Sequence, residues 1–228
     1  METYLSKRLS RVAAFIPDQA VLLDVGSDHA YLPIVLVQQG KITRAIAGEV
    51  VDGPYQSALA NVAQSGLADR IQVRLANGLA AFSPEDGVTA ITICGMGGRL
   101  IAEILEAGHE KLSGVDRLIL QPNNREDDLR RWLQENGFRI RQESILEENK
   151  KYYEIIVAEH GEMVLSDQEL RFGPDLLKHP NTSFRLKWEG ELNKLSYALA
   201  SIPEHKQQER DILLTKINQI KEVLARVS

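Results

Sequence analysis

Six residues in the stretch LLDVGSDHAYLP, Leu22 to Pro33, combine acid, hydroxyl, imidazole and phenol around a single glycine: Asp24, Gly26, Ser27, Asp28, His29 and Tyr31. An apolar run precedes them, and a second run at helical spacing follows. That order reads as a buried strand, a tight turn and a helix start. Glycine lets a backbone approach a ligand closely, as nucleotide-binding turns require. Dinucleotide loops read G-x-G-x-x-G and aim a helix N-terminus at a pyrophosphate. Here there is one glycine, and a carboxylate stands where a phosphate would be repelled. The turn therefore suits a ligand that is nucleotide-like but not a diphosphate.

Further candidates stand where other apolar runs end, as expected for an open α/β sheet that binds ligands at the carboxyl ends of its strands. Glu49 closes the second run, and its carboxylate can accept from both hydroxyls of a ribose. Asn77-Gly78 closes the third, offering an amide for a base edge and a glycine for close approach. Cys94-Gly95-Met96-Gly97-Gly98 closes the fourth, and Gln121-Pro122-Asn123-Asn124 the fifth.

The elements that must position these residues follow from periodicity. Strand-like runs cover Val21–Val25, Arg44–Val50, Ile71–Ala76, Ala90–Cys94 and Arg117–Gln121. Helical patterns at Tyr31–Gln39, Tyr55–Ser65, Arg99–Glu106 and Glu126–Asn136 separate most of them. Alternation of this kind predicts parallel βαβ units in a doubly wound sheet. Arg139–Leu146 and Tyr152–Glu159, joined by the charged link Glu147–Lys151, predict an antiparallel hairpin at its end. Residues 161–228 read as a second, all-helical domain after a first of residues 1–160. Trp188, Leu192, Leu195, Leu199 and Ile202, then Leu213, Ile217, Ile220, Leu224 and Val227, predict an antiparallel coiled-coil hairpin, with Pro203 placed to open the second helix. Residues 162–228 are accordingly expected to be dispensable for cofactor binding. An amphipathic helix is expected over Leu5–Phe15, where Lys7, Arg8 and Arg11 can share one face, either solvated or set against phosphates.

The ordered set narrows the reading. A D-x-G turn, an acid 21 residues after Asp28 and Asn-Gly 28 residues beyond that acid resemble the cofactor site of class I S-adenosylmethionine-dependent methyltransferases. The hairpin at the end of the sheet also fits that superfamily. The strings DVGSDHAYLP, NGL, GMGG, LQPN and FGP, in this order over nearly the whole chain, resemble the bacterial tRNA (adenine(22)-N1)-methyltransferase family, with its C-terminal coiled-coil domain. DVGSDHAYLP and CGMGG are the more specific parts. A small residue such as alanine is expected in the family where Cys94 stands. The resemblance implies a Rossmann-like methyltransferase fold with S-adenosylmethionine as cofactor. It further implies methyl transfer to an adenine ring nitrogen in the D-arm of tRNA. Asp24, Gly26, Ser27, Glu49, Asn77, Gly78, Cys94 and Gly95 would hold the cofactor. Asp24 and Asp28, which would repel a diphosphate, can favour its ammonium and sulfonium.

Adenine N1 carries an in-plane lone pair and needs no deprotonation before attack, but a paired base must first be opened or flipped. Positioning can then do most of the work. A carboxylate near N1 or N6 would stabilise the developing cation. Asp28 is the first candidate, with N-capping of the next helix as its other role. His29 can meet a phosphate or a base, and Tyr31 can stack on the flipped adenine or pack under the turn. Relatives that methylate amino groups carry Asn/Asp-Pro-Pro-aromatic after the fourth strand. Gly95-Met96-Gly97-Gly98 replaces it here, which disfavours an exocyclic amino target. Met96 and Gly97 are candidates for base contact or a flexible link. Gln121 and Asn123 can bind the base or shape their loop, and Arg99 can meet RNA phosphate or water.

Composition sets the remaining bounds. The chain has 228 residues, 43% hydrophobic and 26% charged, with a net charge of −5. This is ordinary for a globular protein and weighs against broad polyanion binding, leaving room for a local basic patch. One cysteine excludes an intrachain disulfide and a cysteine-built zinc site. With no signal peptide and no apolar run of spanning length, a cytoplasmic protein without membrane contact is expected. His109, His160, His179 and His205 share no ligand spacing, so no metal is expected. Oligomeric state stays open, with a monomer favoured. Three other readings also stay open: an S-adenosylmethionine-dependent methyltransferase acting on another RNA, a protein or a small molecule; a nicotinamide-dependent oxidoreductase, against which the missing glycines count; and a non-catalytic RNA-binding or assembly module.

Overall fold

The computed structural model describes residues 4–227. Helix α1 (Lys7–Phe15) leads into β1 (Val21–Val25), α2 (Tyr31–Gln38), β2 (Arg44–Glu49), α3 (Asp52–Gln64), β3 (Ile71–Leu75), β4 (Ala90–Met96), α4 (Gly98–Ala107), β5 (Arg117–Pro122) and α5 (Glu126–Glu135). The long strands β6 (Phe138–Glu148) and β7 (Lys151–His160) follow, then α6 (Asp167–Phe172), α7 (Pro174–Lys178), α8 (Thr182–Ser201) and α9 (Gln207–Arg226). The strands form one seven-stranded sheet in the order β3-β2-β1-β4-β5-β7-β6. The first five are mutually parallel, and β7 runs antiparallel to both β5 and β6. This is the doubly wound sheet expected from the alternation of periods, with the expected antiparallel hairpin at its end.

Parallel strands are buried on both faces and read as continuous apolar runs. Alternate residues of β1 accordingly feed two cores. Leu22 joins Val12 of α1, Leu32, Ile34 and Leu36 of α2 and Val62 of α3 on one face. Leu23 joins Ile101 and Leu105 of α4 and Leu129 and Leu133 of α5 on the other. Pro33 lies in the first turn of α2, where an N–H has no helical acceptor to lose.

Most boundaries shift by one to three residues, and two connections differ in kind. The link between β6 and β7 is only Asn149-Lys150, both at positive φ. A two-residue turn with both residues left-handed matches the twist of the strands, so pairing continues to Glu148↔Lys151. Pro203 does not open α9, which begins four residues later. It follows the end of α8 and starts a turn in which its carbonyl accepts from the Lys206 N–H.

A third core joins the helices to the hairpin. Ile145 of β6 packs with Phe172, Leu176, Phe184, Trp188, Ile220 and Val223. Of the two apolar stripes on α8 and α9, Trp188, Ile217 and Ile220 are buried, and the remaining stripe residues are half-buried. Arg130 of α5 lies beneath this junction, fully buried, donating to Glu143 (2.8 Å), Glu154 (2.5 Å) and the Leu170 carbonyl (3.1 Å). Lys187 of α8 reaches both Glu154 and Glu126 at 2.7 Å. The FGP string has a role in this contact. Gly173, at φ +90°, leaves room that a β-carbon would take from Glu143 Oε2 at 2.6 Å, and Pro174 opens α7. Among the described residues no helix is long and apolar enough to cross a membrane, and no cluster of acidic, histidine or cysteine side chains is arranged to hold a metal.

Candidate functional site

The carboxyl ends of the parallel strands bring the turn Gly26–Ala30 together with the ends of β2, β4 and β5. Gly26 stands at φ +65° and donates its N–H to the Gly48 carbonyl (2.9 Å). That left-handed conformation favours glycine, and a β-carbon there would also meet the movable Met96 Cε at 2.4 Å. The next residues are more unusual. Asp28, His29 and Ala30 are all left-handed, at φ 42°, 71° and 58°. Non-glycine residues in this region cost on the order of 1 kcal/mol or more each and need outside support. Glu49 provides part of it, accepting the Asp28 N–H at 2.5 Å, and Asn61 of α3 donates to the His29 carbonyl at 3.0 Å.

Glu49 is 5% exposed, and burial raises its carboxyl above the usual range. Its Oε1 holds the turn. Its Oε2 has no hydrogen-bond partner among the described residues and is not sealed from solvent. Asp24 lies deeper, 4% exposed, accepting from the hydroxyls of Ser27 and Thr92 at 2.6 Å each. Burial pushes its carboxyl up to about 6, with the two hydroxyl bonds opposing. Both oxygens are taken by hydroxyls, so what Asp24 offers a ligand is its charge.

Asp28 does not cap α2. The N-cap is Ala30, without a side-chain bond, and the Asp28 side chain is 82% exposed, 3.4 Å from His29 Nε2. His29 stacks on Tyr31 (centroids 5.3 Å, 28° between planes), and Tyr31 is 40% exposed rather than packed under the turn. An exposed carboxylate and an aromatic pair therefore share the mouth of the cleft.

Gly95 forms a bulge in β4, at φ +78°, which breaks its pairing with β5. Gln121 and Asn123 repair the break. Gln121 Oε1 accepts the Gly95 N–H at 3.1 Å, and Asn123 Nδ2 donates to the Gly95 carbonyl at 2.7 Å. Gln121 is fully buried, and its amide nitrogen donates to the Pro122 carbonyl and to Asn123 Oδ1. Of the two roles open to it, Gln121 takes loop shaping, because its amide is committed on both sides. Gly97 and Gly98 let the chain cross the loop after β5. A β-carbon on Gly98 would lie 2.2 Å from the Arg125 carbonyl oxygen. Burial pushes the Cys94 thiol up, which keeps it protonated and argues for packing.

The basic candidates separate. Lys7 and Arg11 are exposed on α1, but Arg8 turns inward, donating to Gln121 Oε1 at 2.5 Å and lying 5.5 Å over the ring of Tyr153. The expected shared face of three cations is therefore two cations and one half-buried guanidinium. The cause is Glu148, whose carboxylate accepts the N–H groups of Lys7 and Arg8 and fixes the rotation of α1. Arg99 pairs with Asp128 at 2.5 Å while staying mostly exposed. Asn77 is exposed beside Gly78 at φ +54°. A cavity of about 420 Å³ opens there, walled by Leu79, Leu100 and Ile104. It adjoins the cleft through Asn77 and Gly78 alone and includes neither Glu49 nor Gly95. Asn61 and Thr92 carried no signal in the sequence. Thr92 meets Asp24 only through the β1–β4 register.

The family model described as tRNA (adenine(22)-N(1))-methyltransferase matches residues 22–222. The tRNA (adenine(22)-N(1))-methyltransferase of Bacillus subtilis (strain 168) is 43% identical over 98% of each chain. The crystal structure of a putative tRNA (m1A22) methyltransferase from Streptococcus pneumoniae is 62% identical, with TM-score 0.96 over 97% of this chain and all of that one. The same protein in complex with S-adenosyl-L-methionine superposes with TM-score 0.92 at 61% identity, again over 97% of this chain and all of that one. The chain belongs to the tRNA (adenine(22)-N1)-methyltransferase family.

Proposed function

We infer that the protein transfers a methyl group from S-adenosylmethionine to N1 of adenine 22, in the D-arm of tRNA. Glu49 carries the cofactor reading. One of its oxygens clamps the turn that bears Asp28, and the other stays open for a ribose hydroxyl. The remaining residues fit the same group. Gly95 leaves backbone bare along the cleft, Asp24 supplies a buried negative charge, and Asn77-Gly78 borders an apolar cavity for a base. No diphosphate-binding glycine set is present, which disfavours the nicotinamide alternative.

When bound, the cofactor supplies an electrophilic methyl group. The protein's own part is to place the base and to favour the charge that forms on it. Tyr31 and His29 offer an aromatic platform for an unstacked adenine. Asp28, exposed beside them, would face N1 or N6, where the product's positive charge develops. Met96, at the end of β4, reaches the Gly26 turn from the other side. The strained turn holds carboxylate and platform in fixed relation, so reorganisation during the reaction is small.

The test uses unmodified tRNA transcripts, the purified protein and methyl-labelled S-adenosylmethionine. Nucleoside mass spectrometry and primer extension then identify and locate the product. N1-methyladenosine at position 22 is expected. Methylation elsewhere, or none despite tight cofactor binding, would discard the substrate and keep the fold.

A further inference from the structure

The half-buried guanidinium of Arg8 has an amide oxygen and an aromatic face as partners, and among the described residues no carboxylate at ion-pair distance. Arg171 has similar partners, the Gln219 amide oxygen and the rings of Phe172 and Trp188, but it lies at the α6–α8 junction, away from the strand ends. Arg74, Arg117, Arg125 and Arg130 each end on a carboxylate. A guanidinium has five N–H donors in a planar fork that matches a carboxylate or phosphate. One donor here goes to Gln121. Placing such a group part way out of water without an anion is costly, and the structure takes trouble to do it. Glu148 anchors the start of α1, Tyr153 supports the guanidinium from below, and Gln121 ties it to the bulged Gly95.

Its position in the cleft is specific. A β-carbon on Gly95 would lie 3.7 Å from an Arg8 terminal nitrogen, so the guanidinium stands over bare backbone. Its charge also reaches Asp24 and Cys94, lowering both carboxyl and thiol against the larger effect of burial. The sheet order β3-β2-β1-β4-β5 then sets out Asn77, Glu49, the Gly26 turn with Asp24, and Gly95 with Arg8, in that sequence. Base, ribose, sulfonium chain and amino-acid end follow the same sequence in S-adenosylmethionine. An amino-acid end is a zwitterion. Asp24 supplies the negative field for its ammonium, and a cation is needed for its carboxylate.

We propose that Arg8 is the partner of an anionic group in the cleft, the α-carboxylate of S-adenosylmethionine, bound through the donors that Gln121 leaves free. The inference rests on the S-adenosylmethionine reading of the cleft. A tRNA phosphate reaching the same guanidinium would have the same chemistry, and the experiment separates the two.

S-adenosylmethionine and its decarboxylated analogue differ only in the carboxylate. Calorimetric affinities for both are measured with the wild type, Arg8→Ala and Arg8→Lys, with circular dichroism to check folding. Arg8→Ala is expected to weaken S-adenosylmethionine about 10- to 100-fold, as for loss of a charge-assisted hydrogen bond, and to leave the analogue within about twofold. Arg8→Lys, which keeps the charge without the fork, is expected to fall between. Equal losses for both ligands would overturn the proposal and leave Arg8 as a support for Gln121. Unchanged affinity for both, with a flatter salt dependence of tRNA binding, would overturn it in favour of the phosphate. A wild type that binds neither ligand would defeat the cofactor reading itself, and this proposal with it.

Discussion

Three carboxylates within one turn and its neighbouring strand do different work because they are buried to different depths. Asp24 is deepest. Its folded value, about 6 against an ordinary 3.8, means that the folded state holds its proton more tightly than the unfolded chain does. That preference stabilises the fold below the ordinary value and is lost as pH rises through about 6, so ionised Asp24 costs on the order of 3 kcal/mol at neutral pH. Asp24→Asn should therefore raise the thermal stability of the ligand-free protein at pH 7.5 while weakening S-adenosylmethionine. In the wild type the affinity should fall as pH drops from 7.5 to 5.5, and in the variant it should stay flat. Glu49 is shallower and has two tasks, so Glu49→Ala should weaken cofactor binding by about 10-fold or more, since hydrogen bonds to charged groups contribute about 1.5–3 kcal/mol. Unchanged calorimetric affinity would remove the ribose role. Asp28 is outermost. Asp28→Asn should slow methyl transfer about 100-fold, a typical loss for one electrostatic contact to a developing charge, with a much smaller change in cofactor affinity. Equal losses in both would make Asp28 a cofactor residue.

Among the elements, α5, the β6–β7 hairpin and α8 meet through charges buried with Arg130. Burial pushes Glu154 up, but Lys187 and Arg130 outweigh it and hold the carboxyl below the usual range. A depressed carboxyl stabilises the fold above its ordinary value, and that contribution is lost as pH falls through the folded one. Removing one member of a buried pair strands the other. Arg130→Met should cost about 3–5 kcal/mol in urea unfolding at pH 7. Glu154→Gln should also be destabilised at pH 7, and its deficit against the wild type should narrow as pH falls below the usual glutamate range. A persistent deficit would mean that Glu154 acts by packing. The same network revises the expectation that residues 162–228 are dispensable for cofactor binding. Truncation at 161 would strip the Leu170 carbonyl and Lys187 from fully buried partners. Loss of cofactor binding by such a fragment would then report instability as readily as a role at the site.

For the whole molecule, a net charge of −5 has to be reconciled with a polyanionic substrate. Local cations must supply the attraction, and phosphate contacts reveal themselves through salt dependence. Lys7 and Arg11 are exposed on α1, beside the helix turn that carries Arg8 into the cleft. Neutralising either should reduce the slope of log affinity against log salt by about one, if it meets a single phosphate. Neutralising Arg8 should leave that slope alone. Equal slopes for the wild type and the Lys7/Arg11 double variant would place the tRNA backbone elsewhere, with α8 and α9 the next surface to test.

The sequence by itself determined the kinds of element and most of their limits, because a period of 2 or 3.6 and the punctuation of glycine and proline are local properties. It also marked Asp24, Gly26, Glu49, Asn77 and Gly95, because an open α/β sheet collects its ligand groups where strands end. The hairpin link was misplaced because Asn149 and Lys150 could be known as left-handed only once the strands had paired around them. Tertiary structure decided which side chains meet: Thr92 with Asp24 across 68 residues, Asn61 with His29 across 32, and Arg8 with Gln121 across 113. Each pairing depends on strand order and register, and a side chain's charge or amide looks the same in the sequence whether it faces water, a phosphate or the floor of a cleft.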